Sequence, residues 1–210
     1  MAKRTIVFVD ANNWYHNIKY LIQPSKVDIC KVAKMISDEK DLEILEIRWY
    51  TSMPDVKDNH LVYKIQRAFL GRLQKRGVKI ITRKLQKLSN KEVKKKRQDF
   101  IESWDLCKVC KPLVEASFLE MSDNFQKEKG IDVWIAIDTV KEAIRNKIDC
   151  AILISGDADF VPALDLIKEI GKEVLSSSVS KGYSNELRQK FPYMILNKEK
   201  LNKCLIDYKK

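Results

Sequence analysis

The chain has 210 residues, 45% of them hydrophobic, with 40 Lys and Arg against 29 Asp and Glu for a net charge of +11. This is enough apolar content for one domain with its own core, so neither a disulfide scaffold nor a globally disordered chain is expected. No apolar run approaches the roughly 20 residues of a membrane span, and the five cysteines are scattered, as in a reducing compartment. The positive surplus favours a polyanionic partner, of which nucleic acid is the commonest, although a lysine-rich solvated surface has the same composition.

The first apolar segment, residues 5–10, reads as a buried strand closed by Asp10. It is too short for a signal-peptide core, and a cytoplasmic location is expected. Residues 12–22 follow as a helix with Trp14, Ile18 and Leu21 on one face, and residues 28–36 as a second with Ile29, Val32, Ala33 and Ile36. A strand over 42–51 leads to a long helix over 60–75, whose apolar face is expected to be Leu61, Ile65, Phe69 and Leu73, with a stop at Gly77. Residues 78–82 form the third strand.

Residues 85–128 interrupt this rhythm and read as a basic, partly flexible insertion. Lys94, Lys95, Lys96 and Arg97 crowd together there, and beside an active site they would neutralise phosphates along a nucleic-acid backbone. The pair Cys107 and Cys110 has the spacing of half a zinc knuckle, but a structural zinc needs four ligands. Inert or redox-sensitive thiols are the simpler reading, with sharing of zinc between two chains left open.

The alternation resumes with a helix over 131–146, a strand over 150–155, a helix over 160–170 ending at Gly171, and strands over 173–177 and 193–196. Strands alternating with helices imply an α/β fold, a three-layer α/β/α sandwich around a mainly parallel sheet. The domain is expected to span residues 1–200, leaving 201–210 as a basic C-terminal tail.

Four carboxylates stand where such a sheet binds ligands. Asp10 ends the first strand, and Asp157 follows Ser155-Gly156 at the end of the fourth. Asp159 is placed to cap the next helix, in which Pro162 is tolerated in the first turn, whereas Asp157 has no evident structural task. Asp132 lies at a helix N-terminus just after Lys129-Gly130. Each alone is explained as a cap or turn residue. Gathered in one crevice, they would repel one another unless a cation neutralised them, and oxygen ligands suit Mg²⁺ or Mn²⁺ better than Zn²⁺. A basic protein with an acidic pocket has the charge pattern of a metal-dependent nuclease.

The run Ile6-Val7-Phe8-Val9-Asp10-Ala11-Asn12-Asn13, then Lys129-Gly130-Ile131-Asp132-Val133 with Asp138, then Ser155-Gly156-Asp157-Ala158-Asp159-Phe160 resembles the NYN domains of the LabA-like group in the PIN-like nuclease superfamily. The resemblance implies a PIN-like fold and divalent-metal-dependent endonucleolytic cleavage of RNA. On it, Asp10, Asp132, Asp157 and Asp159 look like the catalytic, metal-binding set, with Asn13, Ser155 and Asp138 in support. Asp138 is ranked below the others because six residues turn a helix by about 240°, off the narrow face of Asp132. Lys129 stands close enough in sequence to Asp132 to contact a phosphate. The first motif departs from the usual pattern at Ala11, where glycine is common. A homodimer is a further implication of the resemblance.

Two other functions compete. A non-catalytic RNA-binding or regulatory module would keep the same fold. A phosphatase of the haloacid-dehalogenase kind needs a second Asp two residues after its nucleophile, and Asn12 stands there. His16 reads as a surface or packed histidine, and Trp14, Tyr15 and Tyr20 as either base-stacking or core residues.

Overall fold

Alternation in the first strand, β1 (Lys3–Asp10), builds two cores. Val7 and Val9 join one cluster of buried side chains, and Ile6 and Phe8 join another on the opposite face. The computed structural model describes residues 2–54, 56, 59–84, 86–87, 90–120, 126–127 and 130–207, with side chains described outside 84–94, 116 and 118–129. The chain divides into two units, Met1–Arg83 with Gly130–Lys210, and Lys84–Lys129.

In the larger unit, β1 is followed by α1 (Ala11–Ile18), α2 (Ile29–Asp38), β2 (Leu42–Met53), α3 (His60–Lys75) and β3 (Lys79–Lys84). The smaller unit holds β4 (Gln86–Lys87), α4 (Asn90–Glu102), α5 (Cys110–Glu120) and β5 (Gln126–Lys127), with β4 and β5 antiparallel. The larger unit then resumes with α6 (Ile131–Ile144), β6 (Cys150–Ile154), α7 (Val161–Glu169), β7 (Glu173–Val179), α8 (Asn185–Lys190), β8 (Tyr193–Leu196) and α9 (Lys198–Asn202).

The sheet order is β3-β2-β1-β6-β7-β8, and the pairs β2–β1, β1–β6, β6–β7 and β7–β8 are parallel. Residues from α1, α2, α3 and α9 pack on one face, and residues from α6, α7 and α8 on the other. This is the three-layer α/β/α sandwich expected. β6 is buried along its whole length because both its faces are covered. The chain moves outward from β1 to β3 on one side and from β6 to β8 on the other. The order therefore reverses between β1 and β6, and the crevice of a doubly wound sheet opens at their carboxyl ends.

Two expectations change. Leu61 and Ile65 are exposed at 67% and 61%, so the buried side of α3 is Leu70 and Leu73 with Phe69 packed beside them. The first turns of α3 carry no sheet-facing stripe. Residues 201–207, expected as a tail, pack back onto the unit. Leu201 and Cys204 are buried, Asp28 N–H donates to the Cys204 carbonyl at 2.8 Å, and Ile206 N–H donates to that of Lys26 at 2.9 Å. Their apolar residues outweigh the lysines around them.

Candidate active site at the carboxyl edge of the sheet

Asp10 is 3% exposed and serves as the N-cap of α1, its Oδ1 accepting from Asn13 N–H at 3.1 Å. Its Oδ2 accepts from Ser155 Oγ at 3.0 Å, across the β1–β6 boundary. Ser155 Oγ in turn accepts from Asp157 N–H at 3.2 Å. Asn13 returns the connection, its Oδ1 accepting from Gly156 N–H at 3.0 Å and from Asn17 Nδ2 at 2.9 Å. The first and third motifs are thus tied by three side chains, which hold the two strand ends in one geometry. Asn17, four residues after Asn13 and so on the same helix face, escaped the sequence reading although that spacing was visible.

Gly156 has its own reason to be glycine. A Cβ there would collide with the Gly182 carbonyl oxygen and approach Ser178 Oγ at 2.9 Å, so the turn after β6 passes against backbone that cannot swing away.

The capping task expected of Asp159 falls to Asp157. Asp157 is the cap: its Oδ1 accepts from Asp159 N–H at 3.0 Å and opens the 3-10 turn Ala158–Phe160. α7 then begins with Phe160 as N-cap, without a side-chain cap bond and with Pro162 in its first turn. Asp159 is exposed and makes no cap. The intervening 3-10 turn moves the start of the helix one step along the chain and transfers the capping task to the earlier carboxylate.

Asp132 stands in the first turn of α6, whose N-cap is Gly130 at φ +76°. A side chain at Gly130 would meet the Arg83 guanidinium, which lies over the Trp134 ring at 5.9 Å from its centroid. The Asp132 carboxyl is held above the usual carboxylate range, first by partial desolvation and then by the charges of Asp157 and Asp159. The turn after β6 and the start of α6 therefore bring three carboxylates within electrostatic reach. Among the described residues, none forms an ion pair with Asp132, Asp157 or Asp159.

The donor set is chemically suited to a hard divalent cation, since it consists of carboxylate oxygens gathered without a described counter-charge. It is not drawn into a closed cage: among the described residues no three His, Cys, Asp or Glu side chains converge tightly enough to ligate one ion. Asp10 is also already engaged with Ser155 and Asn13.

Asp138 points elsewhere. Its Oδ2 accepts from Tyr50 OH at 2.9 Å and lies 3.9 Å from Arg48 Nη1, so it joins α6 to β2. Of the basic residues, Lys95 and Lys96 are exposed on α4 and Arg97 is half-buried. The Lys94 side chain and Lys129 lie outside the described residues. Cys107 and Cys110 are exposed, and Cys107 Sγ accepts from Cys110 N–H at 3.3 Å. Cys150 and Cys204 are buried in the core cluster that Cys30 packs against, so they are not available to complete a zinc site. His16 is exposed, Trp14 is core, and Tyr15 and Tyr20 are exposed.

An α/β sandwich with an acidic, hydrogen-bonded strand-end crevice at its point of reversal is the architecture of PIN-like nuclease domains. The sequence profile of the NYN domain matches residues 4–198, and the chain belongs to that family, within the PIN-like nuclease superfamily. An uncharacterized protein of Methanocaldococcus jannaschii is 34% identical over 80 residues, 35% of this chain and 33% of that relative's length. A short-chain dehydrogenase from Oenococcus oeni aligns over 94% of this chain and 86% of its own at 13% identity, with a TM-score of 0.29, too low to carry an argument. NYN domains as a family are nuclease-like, and the nucleases among them act on RNA. Among the described residues, no helix is long and apolar enough to cross a membrane.

Proposed function

We propose that this protein is a divalent-metal-dependent endoribonuclease of the LabA-like group, cytoplasmic and acting on single-stranded or structured RNA. One observation carries the reading. Asp132, brought from another part of the chain, has its proton affinity raised by partial burial and then by the charges of Asp157 and Asp159, with no described cation to offset them. A fold does not accumulate such repulsion at its ligand-binding edge for stability, whereas an incoming cation would relieve it.

Asp132, Asp157 and Asp159 would hold Mg²⁺ or Mn²⁺, with Asp10 completing or water-bridging the site. The ion would supply an activated water and stabilise the charge that develops on the phosphate. The chain's own residues do the positioning. Ser155 donates to Asp10 and receives Asp157 N–H, which keeps both carboxylates at the strand ends. Asn13 clamps the Gly156 peptide and so holds the turn from which Asp157 and Asp159 project. Exposure of Asp159 and Asp132 leaves the site open to a polymer rather than sealed around a small molecule.

The absence of a closed three-ligand cluster among the described residues favours a second reading, an RNA-binding module without turnover. One experiment separates them. Labelled single-stranded RNA is incubated with wild type and Asp157→Asn in Mg²⁺, in Mn²⁺ and in chelator. Wild type is expected to cleave only with metal, and the variant to lose at least about 100-fold in rate, the upper range for disturbing even an indirect metal contact. Salt-sensitive binding without cleavage supports the second reading, and an unimpaired Asp157→Asn rejects the site.

A further inference from the structure

The first turns of α3 present a face that neither the core nor the acidic edge accounts for. Positions 60, 63, 64, 67 and 68 recur at helical spacing, and with Val56 they line a shallow cavity of about 590 Å³. The lining is His60, Tyr63, Lys64 and Arg67 with the small Ala68, so an aromatic ring and two cations share one concave surface. Its volume lies within the roughly 300–1,000 Å³ that accommodates a small organic group such as a nucleotide. Tyr63 is half-buried, while Lys64 and Arg67 are exposed. Neither cation forms an ion pair with any described residue.

The placement of this face is set by hydrogen bonds. Asn59 caps α3 by accepting from Val62 N–H at 3.0 Å. Gln66 Nε2 donates to the Ser52 carbonyl at 2.8 Å and to Thr51 Oγ1 at 3.3 Å, which fastens α3 to the carboxyl end of β2. Thr51 follows Tyr50, and Tyr50 is the register partner of Asp10. Adjacent strands lie about 4.8 Å apart, so α3 is anchored one strand over from the acidic crevice, on the same edge of the sheet.

We propose that the Tyr63–Lys64–Arg67 face is a subsite for single-stranded RNA, which takes up nucleotides flanking the acidic edge. The proposal rests on the nuclease reading for the identity of the polymer. A base stacks on Tyr63 and the phosphates on either side meet Lys64 and Arg67, the combination of ring and paired cations that holds single strands without reading sequence. The exposed Leu61 and Ile65 lie on the next strip of the same helix and extend the surface on which a base can rest. The two cations at a concave site, unopposed by described carboxylates, favour a polyanion over an apolar protein partner.

The test measures binding of a fluorescently labelled oligouridine RNA to the full chain in chelator, by anisotropy over a range of salt. Lys64→Glu with Arg67→Glu is expected to weaken binding at least tenfold and to flatten the log–log salt dependence by about 1.4, the contribution of two single-strand phosphates. Tyr63→Ala is expected to weaken binding about tenfold through the lost stack. Lys34→Glu on α2 with Lys40→Glu just after it makes the same charge change away from this face and is expected to stay within about twofold. The milder pair Lys64→Gln with Arg67→Gln, with an unchanged melting temperature, guards against misfolding. Wild-type affinity in the α3 variants, or equal losses in the α3 and α2 charge variants, overturns the subsite. Wild-type protein that binds RNA through these residues but never cleaves it overturns the nuclease reading and leaves the subsite standing. Cleavage with affinity indifferent to Lys64 and Arg67 does the reverse.

Discussion

α6 carries carboxylates into two environments, and the protein treats them in opposite ways. In its second half, Glu142 and Asp138 meet Arg48, which is 5% exposed and also grips Glu46 through Nε and Nη2 at 3.0 and 2.8 Å. Burial pushes Glu142 up, but hydrogen bonds from Arg48 and Lys147 hold it below the usual carboxylate range, and Glu46 behaves likewise under Arg48 and Lys79. The Arg48 guanidinium also lies 5.6 Å from the Phe8 ring centroid. In the first turn of the same helix, partial burial and then the charges of Asp157 and Asp159 push Asp132 up, with no described cation to bring it back down. Where the fold needs a charge cluster for its own integrity it supplies the cation. At the acidic edge no described residue supplies one, which is where the proposed metal would act.

Removing the internal cation should break the comparison most severely. Arg48→Met would leave Glu142, Glu46 and Asp138 without their guanidinium partner, and a loss of about 3–5 kcal/mol is expected, read from urea unfolding followed by circular dichroism. If stability is unchanged, Arg48 does not organise this cluster.

A smaller effect is expected from Tyr50→Phe. Burial and then Asp138 keep the Tyr50 phenol protonated far above its ordinary range, so it acts as a donor to Asp138. Its loss should cost about 1 kcal/mol in the same unfolding measurement. RNA cleavage should fall only as far as the position of α6, and hence of Asp132, is disturbed. A loss as large as that of Asp157→Asn would give the Tyr50–Asp138 pair a direct part in the chemistry.

The smallest effect has the opposite sign. Asp132→Asn removes a repelling charge, so in chelator its melting temperature at neutral pH should exceed that of wild type, while metal-dependent cleavage is lost. The folded-state value of Asp132 lies above its unfolded value, so the wild-type native state binds a proton more readily. Wild type therefore gains on the variant as pH falls through that raised value, and the difference in melting temperature should shrink. Glu142 and Glu46 run the other way. Their folded values are depressed, so the stability they contribute is present above the usual carboxylate range of about 4.3 and lost as pH falls towards the folded values. Thermal melts of both proteins from neutral to acid pH separate the two clusters.

Much of the scaffold was legible in the residues because it depends on local pattern. The continuous apolar run of β6 and the stops at Gly77 and Gly171 placed strands and helix ends close to where they lie. The α3 stripe misled because helical spacing shows which residues share a face, not whether the sheet extends far enough to cover it. Leu61 and Ile65 lie beyond that cover. Capping misled for a related reason. Asp157 and Asp159 are both acceptable caps by type, and the choice fell to a 3-10 turn that no residue in the segment announces. The Arg48 cluster could not be read at all, since its members are drawn from β2 and α6.

The turn Ser155-Gly156-Asp157 and the strand end at Asp10 were determined by the sequence itself, because an apolar run closing on Gly and Asp has few alternatives in a parallel sheet. The tertiary structure decided the company those aspartates keep. Ser155 reached Asp10 because β6 pairs with β1, and Asp132 reached Asp157 because α6 packs beside that edge. Contacts between residues so far apart in the chain are set by which faces bury one another, and local spacing carries no record of that choice.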